Sequence, residues 1–350
     1  MRILFFIVHP AKFRLFKDTV NILKSRGHEV DWAIVTKDTL EDFVKSEGWS
    51  YTNIFPEGRR IKGIPVVLAT VINMFRTLFR LFKLTKNKKY DLFITSDILS
   101  FVGWVKRVPT LVFQDDDFSV VPEYSLIWFF ATKVLAPHTC NLGPLNYKKL
   151  GYKGSHKWAY CNPKYFKPDV SFVKKFNPKM KRYFLIRLVS LTASHDRGKK
   201  GLDNKMVRKL VRTLSKKGKV YILSERELPK EFESMRLKLE PIHHLHAMYY
   251  ADMFIGDSQS MISEAGLLGT PAIRFNDFAG KIGYLKEEES YGLSYSFKTT
   301  QGKEMLEKVE ELLKTKDLKK EWRKRVDTYA KDHIDVTKFY VDVIESYAKK

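Results

Sequence analysis

Cysteine is scarce. Of 350 residues only Cys140 and Cys161 carry a thiol. Two thiols give no disulfide framework, so a reducing, cytoplasmic compartment is expected. Long apolar runs are missing as well. The longest, Ile64 to Leu84, is broken by Arg76, Arg80 and Lys83, short of the ~18 clean apolar residues that a membrane span needs. The run Ile3 to Val8 is too short for a signal peptide and no small-residue cleavage site follows it, so it reads as a buried strand. There is no G-x-G-x-x-G and no G-x-x-x-x-G-K-[ST]. Arg197-Gly-Lys-Lys-Gly201 has glycines and lysines, wrongly spaced for a phosphate loop. A dinucleotide-dependent dehydrogenase or a P-loop ATPase is therefore poorly supported. Tandem repeats and low-complexity tracts are absent too.

Acidic residues are outnumbered, 40 against 63 Lys and Arg, for a net charge of +23. That balance points to an anionic partner: nucleic acid, an anionic membrane face or phosphorylated substrates. With 44% hydrophobic and 14% aromatic residues, the chain is not mostly disordered. At about 150 residues per domain, its length suggests two domains.

What is present is an alternation of apolar runs and amphipathic segments. Strands are predicted at 2–8, 29–35, 91–95 and 110–113. A helix at 13–26 places Phe13, Phe16, Val20 and Leu23 on one face and stops at Gly27. A polar, proline-bearing stretch, 162–181, separates these from strands at 183–190, 219–223, 252–256 and 271–275, with helices at 203–216, 245–251 and 259–268. The tail 304–349 reads as helical and charged. Such alternation is the signature of parallel, doubly wound sheets. Ligands of such sheets sit beyond the carboxyl ends of strands. The tips to watch are His9, Thr95-Ser96-Asp97 and Gln114-Asp115-Asp116-Asp117. Two such halves joined by a linker place a cleft between their strand tips, suited to a phosphorylated small molecule or a nucleotide sugar.

Residues 249–275, YYADMFIGDSQSMISEAGLLGTPAIRF, are the most informative. A strand ends in Gly256-Asp257-Ser258, a helix starts at once with Asp257 or Ser258 to cap it, and Gly269 closes it. The N–H groups and dipole at that helix start suit a diphosphate. Glu264, about one and a half turns in, is placed to accept hydrogen bonds from the two hydroxyls of a ribose. The plainer reading is an ordinary capped turn with a solvated Glu.

This stretch resembles the donor-nucleotide motif of GT-B glycosyltransferases and of non-hydrolysing UDP-N-acetylglucosamine 2-epimerases. Nearly the whole chain resembles the DUF354 family of GT-B-like proteins, found in polysaccharide gene clusters. The blocks are HPAKFRLFK (9–17), VFQDDDF (112–118), AYCNPKYFKPD (159–169), VSLTASHDRGKKGL (189–202) and 242–278. The resemblance implies an α/β, GT-B-like fold. Two Rossmann-like domains, 1–165 (acceptor) and 170–330 (donor), would face a central cleft, and a final helix, 335–350, would cross back to the N-domain. Asp335 is placed to cap that helix, and Phe339, Val343 and Tyr347 line one face. It also implies that Ser258, Gln259 and Ser260 face the diphosphate and Glu264 the ribose. Arg187, Ser190, Ser194, His195 and Lys200 would lie at the first strand tip of the second domain, near the donor phosphates.

Several positions also match the 2-epimerase pattern. Asp97 and Asp115 or Asp116 stand at its strand tips, Pro122-Glu123 and Ala136-Pro137 match its pairs, and His195 its cleft histidine. Asp97, Asp116, Glu123 and His195 would form the acid/base set. Three departures favour transfer over epimerisation. Val8-His9-Pro10-Ala11 replaces the Gly-Thr-Arg-Pro-Glu opening, Ser258-Gln259-Ser260 replaces Ser-Gly-Gly, and Ser263-Glu264 replaces a doubled Glu. Departures from DUF354 itself are Lys12 and Arg14, where many members have His, and Lys157 and Asn162, where members tend to have Glu and His.

The expected function is therefore transfer of a sugar from a UDP-sugar to a saccharide or polyprenyl-phosphate-linked acceptor in surface-polysaccharide biosynthesis. A UDP-sugar 2-epimerase and a non-catalytic nucleotide-sugar-binding subunit are the alternatives. No cofactor beyond the nucleotide-sugar substrate and no metal are expected: the diphosphate falls to helix dipoles and cations. Asp115–Asp117 reads as holding a base, Asp116, rather than a cation. His243, His244 and His246 lack further ligands at zinc spacing, and His244 is a candidate base or ribose contact. Residues 59–89 hold nine basic residues and no acidic one, interleaved with Val71, Phe75, Phe79 and Phe82. That make-up fits peripheral attachment to the cytoplasmic face of an anionic membrane. No nucleic-acid module is recognisable.

Overall fold

The apolar runs become two parallel sheets in a computed structural model that describes residues 1–36, 39–59, 61, 63, 65–190 and 200–348. The chain divides into two units, Met1–Tyr160 with Ile334–Lys350, and Cys161–His333.

Unit 1 holds seven strands: β1 (Arg2–Ile7), β2 (Glu29–Ile34), β3 (Thr52–Asn53), β4 (Leu92–Thr95), β5 (Thr110–Phe113), β6 (Lys133–Pro137) and β7 (Lys149–Tyr152). Their order is β3-β2-β1-β4-β5-β6-β7, and every pair is parallel. A parallel sheet is covered on both faces, which is why Ile3–Ile7 is apolar without alternation. The helices are α1 (Pro10–Ser25), α2 (Leu40–Ser46), α3 (Val66–Leu84), α4 (Leu99–Lys106) and α5 (Ser125–Phe130). The strand order reverses between β1 and β4. Right-handed crossovers therefore put α1 and α2 on one face and α3, α4 and α5 on the other.

Helix α1 buries Phe13, Phe16, Val20 and Leu23, as the spacing predicts. It starts at Pro10, earlier than predicted, because the His9 side chain accepts from Ala11 N–H and proline suits the first helical position. It ends at Ser25 and the chain turns at Gly27, where φ is 82°. The C-terminal helix, Val336–Ser346, packs on α1. Asp335 caps it, accepting from Lys338 N–H at 2.9 Å, and Arg26 pairs with Glu345 at 2.7 Å. Its core stripe is Val336, Tyr340, Val341 and Ile344. Phe339, Val343 and Tyr347, the expected face, are only half-buried, one step round the helix.

Unit 2 holds β8 (Tyr183–Leu188), β9 (Lys219–Ser224), β10 (Met253–Gly256), β11 (Ala272–Phe275) and β12 (Ser294–Phe297), all parallel, in the order β12-β11-β10-β8-β9. Its helices are α6 (Asn204–Leu214), α7 (His244–Tyr250), α8 (Gln259–Leu267), α9 (Gly283–Ser290), α10 (Gly302–Lys314) and α11 (Leu318–Asp332). The charged tail is thus three helices. Two of them, through Met305, Val309 and Trp322, close the core of unit 2.

Candidate functional site

In unit 2 the order reverses between β8 and β10, the position where doubly wound sheets bind ligands. Strand β10 delivers Asp257 and Ser258, which divide the capping expected of either. Ser258 is the cap, its Oγ accepting from Met261 N–H at 3.4 Å. Asp257, 2% exposed, instead supports the neighbouring loop. Its carboxylate accepts from Val189 N–H at 2.8 Å and Leu202 N–H at 3.3 Å. Burial pushes its pKa up to about 6, against the opposing pull of those hydrogen bonds and Arg226. Gly201 packs directly on it: a Cβ there would lie 2.7 Å from Asp257 Cβ and Oδ2. Gln259 is half-buried and Ser260 exposed on the first turn of α8.

At the tip of β8, Arg187 and Ser190 form an anion seat, and a carboxylate fills it. Glu225, just beyond β9, pairs with Arg187 Nη2. It also accepts from Ser190 N–H at 3.1 Å and Ser190 Oγ at 3.3 Å. Sequence reasoning missed Glu225, although its place after the apolar run 219–223 is itself a strand-tip signal. Lys200 is exposed, and its N–H donates to Asp277 at 2.9 Å. Ser194 and His195 lie outside the described residues.

Glu264 is 2% exposed, so it is not a solvated surface residue. It sits on the buried side of α8, where its neighbour Ser263 donates to Glu288 at 2.6 Å. His244 is also turned inward. Its Nε2 lies 3.1 Å from the Leu239 carbonyl, which takes that ring nitrogen away from a base or ribose contact. His243 and His246 stack on Phe172, with centroids 3.7 and 5.0 Å apart.

In unit 1 the strand tips gather the candidate acids. Asp97, Asp116, Glu123 and Asp115 all act on the phenol of Tyr124. Burial first, then those four charges, push its pKa up to about 12. Asp97 accepts from Ile98 N–H at 2.6 Å and lies 3.7 Å from Arg59. Asp116 is half-buried and Glu123 exposed. The three consecutive aspartates have separate tasks. Asp117 is a structural acceptor for Asn141 N–H at 2.7 Å. Asp115 is an ion-pair centre. Lys157 holds its Oδ2, while Lys12 Nζ at 3.4 Å and His156 Nδ1 at 3.3 Å meet its Oδ1. Burial alone would raise the Asp115 pKa; Lys157, Lys12 and His156 hold it well below the usual carboxylate range. Burial pushes His156 down to about 4, so the ring is neutral at pH 7. Its Nε2 is buried without a hydrogen-bond partner. Lys12 and Lys157 thus converge on one carboxylate. Among the described residues, no group of three or more His, Cys, Asp or Glu is placed to hold a metal ion.

No protein-family model and no curated protein sequence matches the chain. Solved structures do share its fold. The UDP-GlcNAc 2-epimerase from Neisseria meningitidis bound to UDP-GlcNAc is 11% identical over 99% of both chains, with a TM-score of 0.66. MurG from Acinetobacter baumannii is 13% identical over 99% of this chain and 100% of its own, at 0.58. CalG4, the calicheamicin glycosyltransferase, is 12% identical over 100% and 98%, at 0.58. These neighbours are enzymes of two kinds, transferases and epimerases, and at such identities the likeness is one of architecture. The chain has an α/β, GT-B-like fold built of two Rossmann-like units.

Proposed function

We propose that the chain is a metal-independent GT-B glycosyltransferase of the DUF354 kind. It would move a sugar from a UDP-sugar to a saccharide or polyprenyl-phosphate-linked acceptor in surface-polysaccharide assembly, at the cytoplasmic face of the membrane. The observation that carries this reading is the anion seat of unit 2. Arg187 and Ser190 already hold a carboxylate beside the capped start of α8, and a donor diphosphate needs those same donors. Ser258, Gln259 and Ser260 would meet the phosphates, Lys200 would add a cation, and Glu264 would take the ribose from within the fold.

In the transfer, the bond from the sugar anomeric carbon to the diphosphate oxygen breaks. An acceptor hydroxyl oxygen bonds to that carbon, its proton passes to a carboxylate, and UDP leaves with the electron pair. Cations at the seat stabilise the departing charge. Asp116 is the candidate base. Asp115 is not, because two lysines hold it ionised and occupied.

Epimerisation is the second reading, favoured by one observation: the charges of Asp97, Asp116 and Glu123 all act on the phenol of Tyr124. Binding is tested by melting the protein with and without UDP-sugars. A ligand that binds only the native state raises Tm by mass action. Glu264→Gln should reduce the shift, and Ser258→Ala should reduce it less. Turnover should survive EDTA. No Tm shift from UDP or any UDP-sugar at millimolar concentration removes the donor reading. Loss of turnover in EDTA with rescue by manganese removes the metal-independent one.

A further inference from the structure

Eleven large hydrophobic residues are exposed among the described residues, and nine of them belong to the α3–α4–α5 side of unit 1. Leu68, Val71, Phe75 and Phe79 form a helical stripe along α3, with Phe75 63% and Phe79 71% exposed. Phe82, a further candidate for insertion from sequence, packs against the core instead. A second group surrounds a recess of about 460 Å³ between the end of α4, the end of α5 and the turn Gly143–Lys148. Trp104, Phe129 and Tyr147 stand at its rim, 60%, 55% and 68% exposed, and Phe130 packs on Trp104 with centroids 5.2 Å apart. Arg107 and Lys148 also line it. Helices α3 and α4 pack together, as do α4 and α5, so stripe and recess share one layer.

Helices α3, α4 and α5 themselves carry no acidic residue. Residues 58–90, 98–114 and 124–148 contain thirteen Lys and Arg and no Asp or Glu. Four of the thirteen are spent on carboxylates of the same unit: Arg76 and Arg80 both pair with Glu57, at 2.8 and 2.6 Å, and stack on Phe55, while Arg59 meets Asp97 at 3.7 Å and Lys88 meets Asp31 at 3.2 Å. The cations left to a partner therefore include Lys83, Lys86, Arg107 and Lys133. A second copy of the same face would set like charge against like. An anionic surface with an apolar interior complements both features.

We infer that the α3–α4–α5 face seats unit 1 on an anionic bilayer, and that the Trp104–Phe129–Tyr147 recess takes the hydrocarbon of one lipid. This deepens the reading of a lipid-linked acceptor. Its test uses no nucleotide, so the two stand or fall separately. The protein is sedimented at low salt with vesicles of phosphatidylglycerol and phosphatidylcholine, or of phosphatidylcholine alone. Binding is expected only to the former and is lost in high salt. Trp104→Ser with Phe129→Ser should weaken it at least tenfold, as should Phe75→Ser with Phe79→Ser, each at unchanged Tm because the side chains are exposed. Brominated lipid should quench the tryptophan emission of the wild type and not that of Trp104→Phe. Absence of binding to anionic vesicles overturns the proposal. Binding that survives Trp104→Ser with Phe129→Ser overturns the role of the recess. A concentration-dependent dimer broken by the same pair assigns the face to a second copy instead.

Discussion

Glu225→Ala removes a carboxylate from the seat assigned to the donor diphosphate. In the wild type, a nucleotide must displace Glu225 from Arg187 and from Ser190 N–H and Oγ. The Glu225 side chain is 45% exposed, so solvent screens the ion pair and its worth is about 1 kcal/mol at most. The charged hydrogen bonds to Ser190 and the repulsion between Glu225 and an incoming diphosphate add an amount of similar size. Together they predict that UDP binds Glu225→Ala about 5–30-fold more tightly, a gain of about 1–2 kcal/mol. Isothermal titration with UDP reads this directly. Arg187→Ala should weaken binding, and the double variant should recover part of that loss, because Glu225 also occupies Ser190 and repels the diphosphate. Unchanged or weaker UDP binding by Glu225→Ala would refute the shared seat and move the phosphates elsewhere on unit 2.

Two further outcomes follow from the packing. Gly201→Ala drives a Cβ into Asp257, which overpacking data price at about 1–3 kcal/mol. Tm should fall and UDP binding weaken, and an unchanged Tm would contradict the close approach. His156 has a folded pKa of about 4 against an ordinary 6.5. Its neutral form therefore contributes stability that is present above pH 6.5 and lost as pH falls through about 4. His156→Gln should accordingly be less destabilising relative to wild type at pH 4.5 than at pH 7. Urea titrations at the two pH values measure this, and an equal gap at both would contradict a buried neutral ring.

Much of the frame is legible in the sequence. The apolar run at β1, the face of α1, the stop at Gly27 and the β10–α8 turn each rest on local signals, namely period, caps and glycine. The α3–α5 layer is less legible. LSFVGWVK and SLIWFF are short and apolar all round, so no period separates helix from strand. β3, two residues long, is too brief to register, and β12, SYSF, is half polar and lacks an apolar run. At the site, strand tips mark Asp97 and Asp116 from sequence alone. Asp115 does not reveal its task, because Lys157 reaches it from 42 positions along the chain. The histidine trio shows the converse: neighbours in sequence face apart, His244 turning inward while His243 and His246 stack on Phe172.

The central claim is transfer from a nucleotide sugar, and phosphorus and proton NMR of the protein with UDP-GlcNAc and other UDP-sugars tests it most directly. The account predicts that UDP appears, faster when a saccharide or polyprenyl-phosphate acceptor is added, with the sugar of the remaining donor unchanged at C2. A C2 epimer accumulating without release of UDP would contradict transfer and establish the epimerase reading in its place.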